Sequence, residues 1–197
     1  MCALRRPLAG CTPRRDIVTL GAPCLRPPGA VAEERFLRLC VRCGKCALAC
    51  PYGSIELAGG FGRARRTPRV TPRRMPCYLC MKCPPACPSG ALDPSVTSMP
   101  RAGMGMAWIL KDRCHNFTDG TICMTCHDRC PLRGTAIVLA NGLVPAVTTA
   151  CVGCGVCDYV CPVRAVEIVP RGVAHVPSSG IPPRPVSEGT PQGGGRP

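Results

Sequence analysis

The stretch Cys40-Val41-Arg42-Cys43-Gly44-Lys45-Cys46-Ala47-Leu48-Ala49-Cys50-Pro51 decides how this chain is built. Three cysteines fall at steps of three, a fourth follows four residues on, and a proline closes the run. The spacing recurs at Cys77, Cys80, Cys83 and Cys87-Pro88, and again at Cys151, Cys154, Cys157 and Cys161-Pro162. A fourth copy runs Cys114, Cys123, Cys126 and Cys130-Pro131. It keeps its last three cysteines and the proline, but eight residues separate its first cysteine from the second. These copies use sixteen of the 19 cysteines.

The spacing has a mechanical reason. A cubane iron–sulfur cluster offers four iron corners. Cysteines at i, i+3 and i+6 on a tight loop reach three corners of one cube. The next cysteine has entered a helical turn, points away, and ligates the other cluster of a pair. The proline after it fixes φ and brings no N–H as the chain turns. Small residues between the ligands (Gly44, Gly153 and Gly155) let backbone N–H groups approach the sulfurs, one way a potential is tuned. Structural zinc takes two Cys pairs set well apart, which is not this pattern. A disulfide framework belongs to a shorter secreted chain without an internal repeat.

Cross-ligation fixes the expected sets. Cys40, Cys43, Cys46 and Cys87 hold one cube, and Cys77, Cys80, Cys83 and Cys50 the next. Cys114, Cys123, Cys126 and Cys161 hold a third, and Cys151, Cys154, Cys157 and Cys130 the fourth. The cofactor complement is therefore four [4Fe–4S] clusters. The long loop after Cys114 leaves open a three-iron cluster or a labile corner at that set.

Composition agrees. The chain has 197 residues with 22 Gly, 24 Pro and only seven aromatics, too many chain breakers and too few large side chains for an ordinary packed core. The expected fold is α+β: two tandem bacterial-type 2[4Fe–4S] ferredoxin-like modules, with short helices and hairpins wrapped on the clusters and an apo chain that is largely unfolded. Short helices are predicted at Cys46–Cys50, Cys83–Cys87, Cys126–Cys130 and Cys157–Cys161. Strands are predicted at 53–57, 105–110, 135–139 and 165–169, with Asn141-Gly142 turning a hairpin from 137–139 into 143–147. The modules are expected over 31–98 and 99–176. Residues 1–30 are expected to be a degenerate twin-arginine-like signal or a mis-assigned start, on the pair Arg14-Arg15 and a weakly apolar stretch after it. Cys2, Cys11 and Cys24 lie there, outside any cluster spacing. Residues 177–197 are expected to be a disordered Pro/Gly-rich tail.

Formal net charge is +14, nearly all of it arginine. Four oxidised clusters with their thiolates each carry about −2 and would bring the total to roughly +6. The arginine excess then partly balances bound metal, and no nucleic-acid partner is expected. The loop 59–76 is strongly basic and is a candidate dock for an acidic partner or simply a solvated loop. No apolar run approaches the roughly 18 residues of a membrane span, so no transmembrane segment is expected. His115, His127 and His175 are not needed as ligands. Trp108, Tyr52, Tyr78 and Tyr159 are expected to pack near the clusters and restrict water. The sequence shows no paired carboxylates, nucleophile–base pair or phosphate loop, so no catalytic residues are expected.

From Leu25 to about residue 170 the sequence resembles the ferredoxin-type proteins of the MauM/NapG family. The resemblance rests on Leu25-Arg-Pro-Pro-Gly-Ala30, Pro76-Cys-Tyr-Leu-Cys-Met-Lys-Cys83, Gly120-Thr-Ile-Cys-Met-Thr-Cys-His-Asp-Arg-Cys-Pro131 and the final Cys151–Cys157 group. It implies four [4Fe–4S] clusters and export by the twin-arginine route to the periplasm. It also implies a membrane-bound quinol-oxidising iron–sulfur partner, and a periplasmic cytochrome, reductase or dehydrogenase as acceptor. The amino terminus departs from the family's clean signal. The expected function is thus electron transfer. The alternative is an electron-transfer subunit of a larger cytoplasmic oxidoreductase complex.

Overall fold

The computed structural model describes residues 24–59, 62–174 and 177–185. The Arg14-Arg15 pair, Cys2, Cys11, His175 and the last twelve residues lie outside the described residues. Helices are short: α1 (Glu33–Leu39), α2 (Lys45–Leu48), α3 (His115–Thr118), α4 (Thr125–Asp128) and α5 (Val156–Val160). Strands are β1 (Ile55–Leu57), β2 (Pro68–Val70), β3 (Gly105–Leu110), β4 (Ile137–Ala140), β5 (Val144–Val147), β6 (Val166–Pro170) and β7 (Gly180–Ile181).

Each half of the chain nests an inner hairpin inside an outer pair. In the second half β4 pairs antiparallel with β5 through Asn141 and Gly142, both at positive φ as a tight right-twisted hairpin requires. Around it β3 runs antiparallel to β6 from Gly105↔Pro170 to Ile109↔Val166. In the first half β1 pairs antiparallel with β2, and the outer pair shrinks to one bridge, Ala30↔Leu92. The expected strands at 53–57, 105–110, 135–139 and 165–169 are present within a residue or two. The basic loop 59–76 carries a strand, β2, because Ile55 and Val70 place apolar side chains inward on opposite strands. The helix expected at 83–87 is absent. Pro84 and Pro85 remove two N–H donors, and the segment closes as turns, with Cys87 N–H donating to the Pro84 carbonyl at 3.1 Å. Helix α1 was not foreseen. It packs Phe36, fully buried, into the first half.

Two expected boundaries move. Residues 25–29, expected within a leader, pack into the fold. Leu25, Arg26, Pro27 and Pro28 are buried, and the Val70 N–H donates to the Leu25 carbonyl at 2.8 Å. The Arg26 guanidinium stacks 4.5 Å from the Phe36 ring centroid, donates to Glu33 at 2.8 Å and to Thr67 Oγ1 at 2.9 Å, and so fastens the segment to α1 and the hairpin. At the other end, residues 177–185 are ordered. Strand β7 adds to the open edge of β3, and Arg184 exchanges backbone hydrogen bonds with Val147 and Thr149 at 2.8 Å each. A Pro/Gly-rich composition does not prevent a two-residue strand where a sheet edge offers unpaired backbone.

The halves share a core. One apolar cluster joins Leu25, Phe36, Val70 and Leu92 to Met104, Val152 and Val156. A second, in the second half, is built on Ala107, Ile109, Ile137, Val147 and Val166. Along the seam Cys77 N–H donates to the Cys154 carbonyl at 3.0 Å, Met104 N–H to the Val152 carbonyl at 2.9 Å, and Arg73 Nε to Asp158 Oδ1 at 2.9 Å. A Cβ on Gly153 would fall 2.5–2.6 Å from the Gly105 backbone, so only glycine lets this ligand loop touch β3.

Candidate iron–sulfur site

In three copies of the motif the chain curls around the second cysteine by the same device. The residues on either side of it take left-handed backbone: Arg42 and Gly44, Leu79 and Met81, Gly153 and Gly155. Successive N–H groups then face one concave side, the kind of backbone nest that holds iron–sulfur sites. Glycine does this without strain; Arg42, Leu79 and Met81 each carry a cost of about 1–2 kcal/mol that the surrounding structure must offset. The glycines were legible in the sequence, but the three side-chain-bearing positions were not.

The stretched copy is built differently. Met124, after the second cysteine, is at φ −112° and does not curl. Cys114 caps the start of α3, and Asn116 closes the long loop. The Asn116 amide donates to the Cys123 carbonyl at 2.7 Å and accepts from the Cys123 N–H at 3.3 Å, with its Nδ2 also 3.8 Å from Cys114 Sγ. Asn116 is the functional residue that motif reading missed. No spacing rule marks it, because its role depends on where the loop returns. His115 Nδ1 pairs with Asp119 Oδ2 at 2.9 Å inside the same loop.

The fourth cysteine of each copy receives a backbone donor a few residues on. Ser54 N–H lies 3.4 Å from Cys50 Sγ, Leu92 N–H 3.5 Å from Cys87 Sγ, and Ala165 N–H 3.1 Å from Cys161 Sγ. The Leu132 backbone acts on Cys130 in the same sense. Such donors stabilise a thiolate.

The sulfurs gather in crossed groups. One cavity is lined by Cys130, Cys151, Cys154 and Cys157, another by Cys114, Cys123, Cys126 and Cys161. In the first half Cys46 feels the charges of Cys40, Cys87 and Cys43, while Cys77 feels those of Cys80 and Cys50. The sixteen motif cysteines form no disulfide, and among the described residues no three His, Cys, Asp or Glu side chains converge on a single metal ion. Sulfurs spread around a cavity suit a multi-iron cluster better than one tetrahedral ion.

The thiols carry the electrostatic mark of such a site. Burial, and then repulsion from neighbouring cysteines, pushes Cys126 and Cys154 up to about 12, and burial pushes Cys46 and Cys77 up to about 11. Cys157, also buried, is pushed well up by burial and by four neighbouring cysteines. Cys87 goes the other way. Burial raises it, but the Leu92 N–H and the Ser89 hydroxyl outweigh that and lower it. Thiols crowded and buried like this hold their protons at neutral pH unless cationic metal replaces them, so the residues present fit the group.

Relatives bear on the same residues. A 4Fe-4S dicluster domain matches residues 39–91 and a 4Fe-4S binding domain matches 151–165. The methylamine utilization ferredoxin-type protein MauM of Paracoccus denitrificans is 42% identical over 171 residues, covering 80% of this chain and 76% of that protein. The chain belongs to the MauM/NapG family of ferredoxin-type proteins. MauM of Methylorubrum extorquens is 39% identical over 164 residues, covering 76% of this chain and 74% of that protein. The ferredoxin-type protein NapG of Escherichia coli K12 is 38% identical over 167 residues, covering 76% of this chain and 72% of that protein. The chain is thus an iron–sulfur protein of ferredoxin type, the class of electron carriers. No described helix is long and apolar enough to cross a membrane.

The aromatic expectation needs correction. Tyr52, Tyr78 and Tyr159 are exposed, with Tyr52 and Tyr78 ring centroids 4.8 Å apart, so they do not seal a cluster from water. Apolar side chains such as Ile109, Ile137, Val166 and Ile168 line the cysteine cavities instead.

Proposed function

We propose that this chain relays single electrons through four [4Fe–4S] clusters held by two tandem ferredoxin-like modules and carries out no substrate chemistry of its own. The ligand sets are Cys40, Cys43, Cys46 and Cys87; Cys77, Cys80, Cys83 and Cys50; Cys151, Cys154, Cys157 and Cys130; and Cys114, Cys123, Cys126 and Cys161. The observation that carries this reading is the crossed gathering of cysteines, seen most directly in the two cavities that each take three sulfurs from one motif copy and one from another. When bound, each cluster supplies a one-electron site that is oxidised and reduced in place. The residues do the rest. Left-handed Leu79 and Gly153 supply backbone donors to Cys77 and Cys151, and apolar side chains from β3, β4 and β6 line the second half's sites.

The sets adjoin one another in a definite order. Cys83 feels Cys46, Cys154 feels Cys77, and Cys157 feels Cys126. The Cys40 set and the Cys114 set are then the two ends, with the shared seam at the middle. A membrane-bound quinol-oxidising iron–sulfur protein is the proposed donor, and a periplasmic cytochrome, reductase or dehydrogenase the acceptor, in line with relatives named for methylamine utilization. The proposed compartment is the periplasm.

Anaerobic isolation of the untagged protein from its source cells, with fractionation, tests this. Iron and acid-labile sulfide at about four each per ligand set, and interacting cluster signals on reduction followed by electron paramagnetic resonance, are the expected result. One zinc per set, or iron that does not change oxidation state, would overturn it. Recovery in the cytoplasmic fraction would overturn the proposed partners and leave the clusters standing.

A further inference from the structure

We propose that the face around Cys43 is the docking surface for an acidic redox protein, and that arginines 42, 63, 65 and 66 recognise it. The proposal rests on the electron-carrier reading above and adds where one partner binds and by what chemistry.

Cys43 is the exposed member of the sixteen motif cysteines. Beside it Val41 is 63% exposed and Leu48 is 87% exposed, the most solvent-open of the large apolar side chains among the described residues. Leu48 lies three residues after Lys45 on α2, so the two share a helix face. An exposed apolar spot rimmed by polar groups marks an interaction site.

The rim is basic, and its charge is not neutralised internally. Arginines elsewhere in the basic loop are paired: Arg69 and Arg74 with Glu56, and Arg73 with Asp158. Among the described residues Arg42, Arg63, Arg65 and Arg66 pair with no carboxylate, although all four are exposed. They are also held in place. The Arg42 side chain donates to the Arg65 carbonyl at 3.1 Å and to the Arg63 carbonyl at 3.0 Å, which pins the loop against the ligand turn that carries Cys43. Arg42 and Arg66 take left-handed backbone, at φ 58° and 60°, an unusual outlay for two side chains with no internal ion-pair partner.

The other end of the molecule contrasts. Its exposed apolar residues Phe117 and Ile122 flank Asp119, with Asp112 and Asp128 nearby in sequence among Lys111, Arg113 and Arg129, a mixed-sign surface. Among the described residues, the Cys43 face alone sets arginines without carboxylate partners around an apolar centre beside an exposed cysteine. A surface of that kind steers an acidic partner in and lets it leave, with electrostatics setting the encounter rate.

Cytochrome c and its succinylated form share one haem but carry opposite surface charge, and both serve as probes. With both proteins oxidised, so that no electron moves, calorimetric titration of the holoprotein should show the succinylated form binding and the basic form not. Complex formation should weaken steeply as salt rises. The triple variant R63E/R65E/R66E should lose binding by about tenfold or more and slow electron transfer to the succinylated form by a similar factor. The matched variant R113E/R129E/R133E at the opposite end should change both by much less. Equal losses in the two variants, or unchanged binding in R63E/R65E/R66E, would overturn the docking face. Iron content and the reduced-cluster signal of each variant are measured alongside. If those are absent in the unaltered protein, the electron-carrier reading fails; if present without charge-selective binding, only the docking face fails.

Discussion

The two halves carry the same nested plan but lock it differently. In the first half the outer pair is a single bridge, Ala30↔Leu92, and closure falls to Arg26, which ties Phe36, Glu33 and Thr67 together. In the second half the outer pair is the five-residue ladder of β3 and β6, extended by β7. The ligand loops follow suit. Both loops of the first half curl through left-handed residues around the second cysteine. In the second half only the Cys151 loop does so, and the Cys114 loop relies on Asn116. Where backbone curvature holds the ligands, the spacing must be rigid. Where a side chain spans the loop, eight residues fit as well as two.

The largest effect should come from ligand burial. Cys157→Ser removes a buried sulfur within the second apolar cluster. Loss of a structural metal site is worth on the order of 10 kcal/mol, so this variant should lack its cluster and fail to give a cooperative holoprotein melt. Cys43→Ser, at an exposed corner, should stay folded with altered cluster signals. Iron content and near-ultraviolet circular dichroism distinguish the two, and similar behaviour would break the contrast between enclosed and open sets.

Next come two glycines at one motif position. At Gly155, φ is 83° and a Cβ would sit 2.5 Å from Pro72; at Gly44, φ is 74° but the nearest atom is 3.9 Å away. Gly155→Ala should cost about 3 kcal/mol from strain plus overpacking, and Gly44→Ala about 1 kcal/mol from backbone strain alone. Thermal melts of the holoproteins measure the gap; equal costs would mean the seam yields without resistance.

Asn116→Ala should cost about 1–3 kcal/mol locally by leaving the Cys123 carbonyl and N–H unmatched. Its sharper signature is selective loss of the corner iron at Cys114 on mild oxidation, seen as a three-iron signal by electron paramagnetic resonance, with the other sets intact. Loss spread evenly over all sets would deny Asn116 its local role.

The seam's ion pair should matter less than Gly155. Arg73→Ala leaves Asp158 buried with its charge unmatched, but Arg73 itself is about one-third exposed, so the expected cost is about 1–2 kcal/mol. The holoprotein melt should remain one transition at lower temperature. Two separate transitions would mean the halves are held together mainly by this contact and not by their shared core.

The sequence by itself determined the cofactor class, because ligand spacing along a chain is local geometry: steps of three reach the corners of one cube, and Cys-Pro turns the chain away. It also determined most strands, since alternating apolar residues and Asn141-Gly142 are local signals. Tertiary structure alone decided what depends on distant backbone. Residues 25–29 look like leader in composition but are buried, with Arg26 reaching Thr67, 41 positions away. Residues 177–185 look like a loose tail but complete the edge of β3. The apparently tandem modules share one core, and Gly155 lets a ligand loop of the second press against Pro72 of the first. Asn116 matters only because its loop returns to Cys123. In each case the deciding contact joins segments that sequence periodicity treats separately, and the free energy of that contact exists only once the chain has closed on itself.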